Sequence, residues 1–238
     1  MDESTNSGLG ELPVESVSAS RALDPSAFYS LYLGGITLPE RQQRIHASSL
    51  LMLSGRLGLR PGEIQHLHEG WIDWERGVIR IPKRDPCACK LCWETARYAQ
   101  RAGDGRQLVD IVTETMWSSP GRARTVPFGW SQRLTAILGT LCDEEEYLDL
   151  SAEMMVRLVK QSAKQAQGIA HEEIDFESLR ATAGSFFSDA GFPAHRVATL
   201  LGEDVEVAHA FTQNEGGDAR SYLSDLFDDT PSHVGTGE

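Results

Sequence analysis

The chain has 238 residues and a formal net charge of −13, long enough for one large domain or two small ones around a sizeable core. It holds no uninterrupted apolar run of about 18 residues or more, so neither a membrane-spanning helix nor a membrane partner is expected. The acidic total argues against nucleic acid being held by overall charge alone, but leaves local basic patches open.

Residues 1–24 are rich in Ser, Glu and Gly, lack hydrophobic periodicity and contain no signal-peptide core. They read as a disordered acidic tail on a cytoplasmic protein. From Pro39 to Leu57, "PERQQRIHASSLLMLSGRL" reads as a helix opened by proline, its Leu/Met stripe over 50–57 forming core. Gly58 breaks it, and "RPGEIQHLHEGW" restarts with Pro61 and the first-turn acid Glu63. Val78, Ile79 and Ile81 predict a short strand, and "RARTVPF" over 122–128 predicts a second. Between them, residues 83–121 form an insert. After Ser131 the pattern is helical over 131–142, 151–167 (Ser151 as N-cap), 176–190, 193–201, 205–213 and 218–227, with a tail over 229–238. The expected fold is one mainly α domain over 25–228 with a small antiparallel β-sheet (α+β).

Four cysteines occur, Cys87, Cys89 and Cys92 clustered and Cys142 remote. In a reducing compartment such a cluster suggests metal rather than disulfides. Three soft ligands within six residues suit a structural zinc, with Cys142, His66 or His68 as candidates for the fourth position. No cofactor is otherwise required. His195 and His209 have no ligand spacing to another histidine and read as packing or surface residues. Trp71, Trp74 and Trp117 flank the strands and are expected to pack on them.

The basic residues are lopsided, four lysines (Lys83, Lys90, Lys160, Lys164) against eighteen arginines. Acidic excess with scarce lysine resembles the bias of salt-loving archaea. Two arginines stand out by position. In "FESLRATAGSFFSDAG" (176–191) Arg180 lies beside an apolar helical stripe among the small residues Ala181, Thr182 and Gly184, which leave its fork room to reach an anion. Arg60 stands at a junction between two helices, another place from which to reach an anion.

"GLRPGEIQHLHEGWID", "GVIRIP", "RARTVPF", "ESLRATAG", "LLGE" and "AHAF" occur in the order and spacing of the tyrosine recombinase (phage integrase) catalytic domain. The resemblance covers roughly residues 40–215 and is closest to haloarchaeal integrases, which are similar even in the Cys-x-Cys-x-x-Cys insert. It implies DNA breakage and rejoining through a 3′-phosphotyrosine link, with two arginines clamping the scissile phosphate. By position, Arg60 and Arg180 match those arginines. Lys83 is the nearest substitute for the family lysine, which protonates the leaving oxygen.

The other positions depart from the pattern. Glu177 stands where the family has histidine, Glu203 where it has His or Trp, and Phe211 where it has the tyrosine nucleophile. Phenylalanine has no oxygen and cannot form the covalent intermediate. The glutamates are expected to pair with Arg60 and Arg180 and turn the clamp into a self-satisfied ion cluster. The family also carries a separate helical DNA-grasping domain, whereas about 40 residues precede the first matching helix here. The resemblance therefore implies a protein of the DNA recombination and integration class, a pseudoenzyme that binds DNA, a recombinase or its own copies. One alternative is an active integrase using Tyr222 or a partner's tyrosine. Another is a structural or regulatory protein that keeps the fold without binding DNA.

Overall fold

A computed structural model describes residues 17–114, 116–144, 147–170 and 172–212. Its elements in chain order are α1 (Pro25–Ile36), α2 (Arg41–Gly55), α3 (Pro61–Gln65), β1 (Ile72–Asp73), β2 (Val78–Ile81), β3 (Arg84–Pro86), α4 (Lys90–Ala99) and α5 (Leu108–Glu114). They continue with β4 (Met116–Ser118), β5 (Arg124–Pro127), α6 (Gln132–Glu144), α7 (Ala152–Gln165), α8 (Phe176–Asp189), α9 (Ala194–Leu201) and α10 (Val205–Thr212). Residues 1–16, the expected helix over 218–227 with Tyr222, and the tail over 229–238 lie outside the described residues. None of the described helices is long and apolar enough to cross a membrane.

α2 is the central helix. Every residue from Ala47 to Gly55 is buried, because α1, α6, α7 and α8 all pack on it. A helix of apolar and small residues, with Ser48, Ser49 and Ser54 among them, suits a position inside a bundle. The stripe over 50–57 is core as expected, with Leu50, Leu51, Leu53 and Leu57 wholly excluded from solvent.

β1, β2 and β5 form one antiparallel sheet, with Ile79 opposite both Ile72 and Val126. Ile79, Ile81 and Val126 point into the core, while Arg80 and Thr125 point out, the alternation a one-sided sheet needs. The insert contributes a second antiparallel pair, β3 with β4, in register Asp85 to Trp117. It also contributes α4 and α5, which share a small apolar cluster of Ala96, Ile111 and Val112. Trp71 and Trp117 are buried with ring centroids 4.9 Å apart. Trp74 departs from expectation: it is 40% exposed and meets only the edge of Phe128.

Two local expectations change. α1 was not visible as a hydrophobic repeat, yet Asp24 caps it by accepting from the Ala27 amide at 2.9 Å, and Pro25 opens it. Asp-Pro is a helix-start signal that outweighs the weak periodicity behind it. Residues 17–24, expected within the loose tail, are built into the fold. Val17 is buried, Ala19–Arg21 form a 3-10 turn, and the Leu23 amide donates to Thr182 Oγ1 at 2.9 Å. Arg21 anchors this segment on the start of α8, reaching Asp175 at 2.6 Å and also Glu177.

The small residues of α8 serve packing. Thr182 receives residue 23. A Cβ on Gly184 would lie 2.9 Å from the Phe211 ring and 3.1 Å from Leu201, so glycine there lets α10 and α9 close on α8. Phe211 is buried in that seam, 4% exposed. Truncating it to alanine should destabilise the chain by about 3 kcal/mol or more in urea unfolding, as for other buried aromatics. A loss under about 1 kcal/mol would show that α10 does not pack there.

Candidate functional site

α9 ends in a glycine turn, with Gly202 at φ 66°, the left-handed conformation that favours glycine. The amides of Gly202 and Glu203 return to the Thr199 and Ala198 carbonyls. The next three carbonyls have no helical partner, and an arginine from a different element meets each. Arg124 Nε, from β5, donates to Leu200 O at 2.9 Å. Arg180 Nη2, from α8, donates to Leu201 O at 2.8 Å. Arg60 Nη2, immediately before α3, donates to Gly202 O at 2.8 Å. Arg180 Nε also donates to Gly58 O at 3.2 Å. All three arginines are buried, at 5%, 7% and 4% exposure for Arg60, Arg124 and Arg180.

Two carboxylates complete the cluster. A single oxygen of Glu203, Oε1, accepts from Arg60 Nη2 at 2.9 Å and from Arg180 Nη2 at 2.7 Å. Glu63 accepts both arms of the Arg124 fork at 2.5 and 2.6 Å, the Arg60 backbone amide at 2.8 Å and the Ser119 hydroxyl at 3.1 Å. Its Oε1 also lies 3.4 Å from Arg60 Nη1. Arg60 and Arg180, 120 residues apart, thus converge on one atom. Among the described residues Arg60 Nε is a buried donor left without a partner. Three guanidiniums against two carboxylates leave one net positive charge, a composition suited to anions.

Titration follows from this packing. Burial pushes the Glu63 carboxyl up, but the Arg124 charge and fork, with Arg60, outweigh it and hold the group down at about 2. Burial and the Arg60 charge push the Arg180 guanidinium down to about 10, opposed by Glu203. Arg180 remains charged at neutral pH.

The other expected positions sort clearly. Glu177 is not in the cluster: it faces Arg21, which takes it out of reach of a phosphate role. Lys83 sits at the edge, its ammonium donating to Ser119 O at 2.6 Å and Gly121 O at 3.1 Å, and Gly121 lies against the Arg60 guanidinium. Phe211 packs in the α8–α10 seam. Sequence reading missed Arg124 and the central place of Glu63. Arg124 stood inside a quoted strand motif, and Glu63 lies three residues after Arg60, the spacing at which an acid caps the preceding amide. Both signals are local and were readable, but their meeting is tertiary.

A second cluster joins the insert to the end of α3. His66, Cys87, Cys89 and Cys92 are all buried, and their ligand atoms lie within 4.8 Å of one another. His66 Nδ1 is 3.1, 3.3 and 3.8 Å from the sulfurs of Cys87, Cys89 and Cys92. A tetrahedral zinc with three sulfurs and one nitrogen has donor–donor edges of about 3.5–3.8 Å, so the donors need little movement to hold such a soft metal. Cys89 is the N-cap of α4, where the helix dipole favours thiolate, and Cys92 lies in its first turn. Hydrogen bonds shared among the three thiols push Cys89 below the usual thiol range and Cys87 and Cys92 above it. The fourth donor is therefore His66. Cys142 is outside the group, and His68 instead faces Asp85 at 3.2 Å.

No family profile matches the chain, and no curated protein matches it significantly. Solved structures do match. XerA recombinase is similar at 15% identity and TM-score 0.54, over 91% of this chain and 65% of its own. The Tn1549 transposon integrase is similar in two complexes, each at 16% identity and TM-score 0.56. With transposon right-end DNA the match covers 87% of this chain and 66% of the integrase, and with circular-intermediate DNA 86% and 66%. The mainly helical architecture with small antiparallel sheets matches tyrosine recombinase catalytic domains, and the likeness is one of fold.

The Glu63 shift sets an acid dependence. Its folded value lies below the ordinary 4.5, so the stability it contributes is complete above about 4.5 and is lost as pH falls towards 2. For so buried a group this amounts to about 3 kcal/mol. Urea unfolding between pH 6 and pH 2 should show the loss, and Glu63→Gln should lack that component. An identical pH dependence in the variant would overturn the assignment.

Proposed function

We propose that this chain is a cytoplasmic protein of the DNA recombination and integration class that binds DNA without cutting it. Its clamp is closed by its own carboxylate. The observation that carries this reading is Glu203 Oε1, which occupies the point where Arg60 and Arg180 converge. A carboxylate oxygen there stands in for a phosphate oxygen, because the guanidinium fork accepts either. Phe211 adds the second reason: at the position matched to the nucleophile it offers no oxygen for a phosphotyrosine link. The likeness to an integrase solved on DNA supports DNA as the partner. The unsatisfied Arg60 Nε and the net positive charge of the cluster support an anion as the ligand. Three cysteines and a histidine at tetrahedral spacing further support a structural zinc in the insert, which also fits a reducing compartment.

Glu203→Gln is the decisive variant. It leaves two buried arginines partly uncompensated and should cost about 2 kcal/mol of stability. Sulfate or phosphate should restore that loss more in the variant than in the wild type, by binding where the carboxylate sat. The same change should tighten duplex DNA binding and steepen its log–log salt dependence by about one to two units, since one or two arginines become free to neutralise phosphates. Unchanged affinity and slope would remove the claim that Glu203 closes a phosphate site. Nicked suicide substrates should give no denaturation-resistant protein–DNA band. A band abolished by Tyr222→Phe would instead establish an active enzyme. Protein purified under reducing conditions should contain about one equivalent of zinc; none would dispose of the metal.

A further inference from the structure

The metal donors and the arginine cluster are joined by two short, independent routes. The first is α3. Arg60 is its N-cap, Glu63 lies in its middle and His66 is its C-cap, with the His66 amide bonded back to Gly62 O at 3.2 Å. Five helical residues span only about 7.5 Å. The second route is the insert hairpin. Cys87 follows β3 directly, β3 pairs with β4, and Ser119 follows β4. The Ser119 amide donates to Lys83 O at 2.9 Å, and its hydroxyl donates to Glu63 Oε1 at 3.1 Å. Both routes therefore end on the same carboxylate, the one that holds Arg124.

The two routes leave one link unmade. Between His66 and Cys87 there is only the 3.1 Å contact of a ring nitrogen with a sulfur. Trp117 of β4 packs against the His66 ring, tilted by 32° with centroids 5.3 Å apart. A metal at this point would tie the C-terminus of α3 to the start of the hairpin's thiol loop, closing a ring that runs through Glu63.

We infer that metal bound by His66, Cys87, Cys89 and Cys92 sets the position of α3, and so controls the alignment of Arg60, Glu63 and Arg124 at the anion site. The ligand class is a thiophilic divalent cation, with zinc as the natural occupant. The inference rests on the metal reading above and adds a regulatory consequence: loss of metal loosens a site about one helical turn away. Binding energy of a metal is folding energy for the segments it joins, and here those segments are α3 and the β3–β4 hairpin.

Hydrogen exchange by mass spectrometry tests this on the full chain, loaded with zinc or stripped with a chelator under reducing conditions. Stripping should speed exchange about tenfold or more in peptides covering 59–67 and 116–124, while α7 peptides keep their protection. In parallel, the anion affinity of Glu203→Gln, probed with inorganic sulfate, should fall several-fold on stripping. A second variant guards against general unfolding. His66→Ala keeps three thiolates, so it should still bind zinc, more weakly in chelator competition. It should loosen 59–67 while leaving the hairpin protected. Zinc that never binds overturns the metal reading itself. Zinc that binds without changing exchange at 59–67, or that protects α7 equally, overturns only the coupling.

Discussion

Three arginines capping the C-terminus of one helix hold this site together. The carbonyls of Leu200, Leu201 and Gly202 have no helical donors, and arginines from β5, α8 and the start of α3 supply them. A buried guanidinium must have its donors satisfied, and a buried helix end must have its acceptors satisfied. Each requirement meets the other. The glycine turn at 202 is what exposes three carbonyls to one side, so the position of α9 fixes where all three forks point. Because carbonyls hold part of each fork, the remaining N–H groups are already aimed before any anion arrives. Glu203 and Glu63 take most of those remaining donors.

The two carboxylates differ in kind. Glu63 is wholly buried and binds Arg124 with both oxygens, the Arg60 amide and Ser119. Removing it would strand five donors, Arg60 Nη1 included, so it belongs to the scaffold. Glu203 sits at the rim, 13% exposed, and uses one oxygen for two arginines. An external oxyanion could repeat those two bonds from the same side. A carboxylate at the rim costs less to desolvate than one at the centre, so the chain holds its own anion at modest cost. The Glu203 contacts are thus more separable from the fold than the arginines they engage.

Much of this was legible in the sequence, and the exceptions have physical causes. Most helices around α2 and two of the three strands of the main sheet followed from periodicity and glycine breaks, and the convergence of Arg60 and Arg180 from the resemblance carried by the ordered motifs. α1 escaped because its start is marked by Asp24 and Pro25 and not by an amphipathic repeat. Glu177, three residues before Arg180, was expected on the clamp because it stands where the resemblance places the family histidine. That spacing places it on the same face, but Arg21, brought in by a segment read as disordered, claims it first. The small residues of α8 were read as room for a guanidinium, and they are instead seats for Leu23, Leu201 and Phe211. In the insert, the three cysteines declared a metal-like cluster, but only the fold could choose His66 over His68 and Cys142. His68, two residues on, is turned to Asp85.

The acidic composition acquires a definite meaning once the arginines are located. Arg60, Arg124 and Arg180 are buried and engaged, so their charge is spent inside, and the net negative charge is carried by the rest of the chain. Such a field repels a phosphate backbone at long range, and salt shortens that reach to about 3 Å at molar concentration. Contacts between a guanidinium and a phosphate at hydrogen-bond distance survive such screening far better than diffuse repulsion does. Under the proposed DNA binding, the absolute salt dependence would therefore mix two opposing effects, surface repulsion and phosphate neutralisation. Comparing Glu203 with its neutral isostere holds the rest of the exterior constant, so the difference reports one rim charge together with the two arginines it releases.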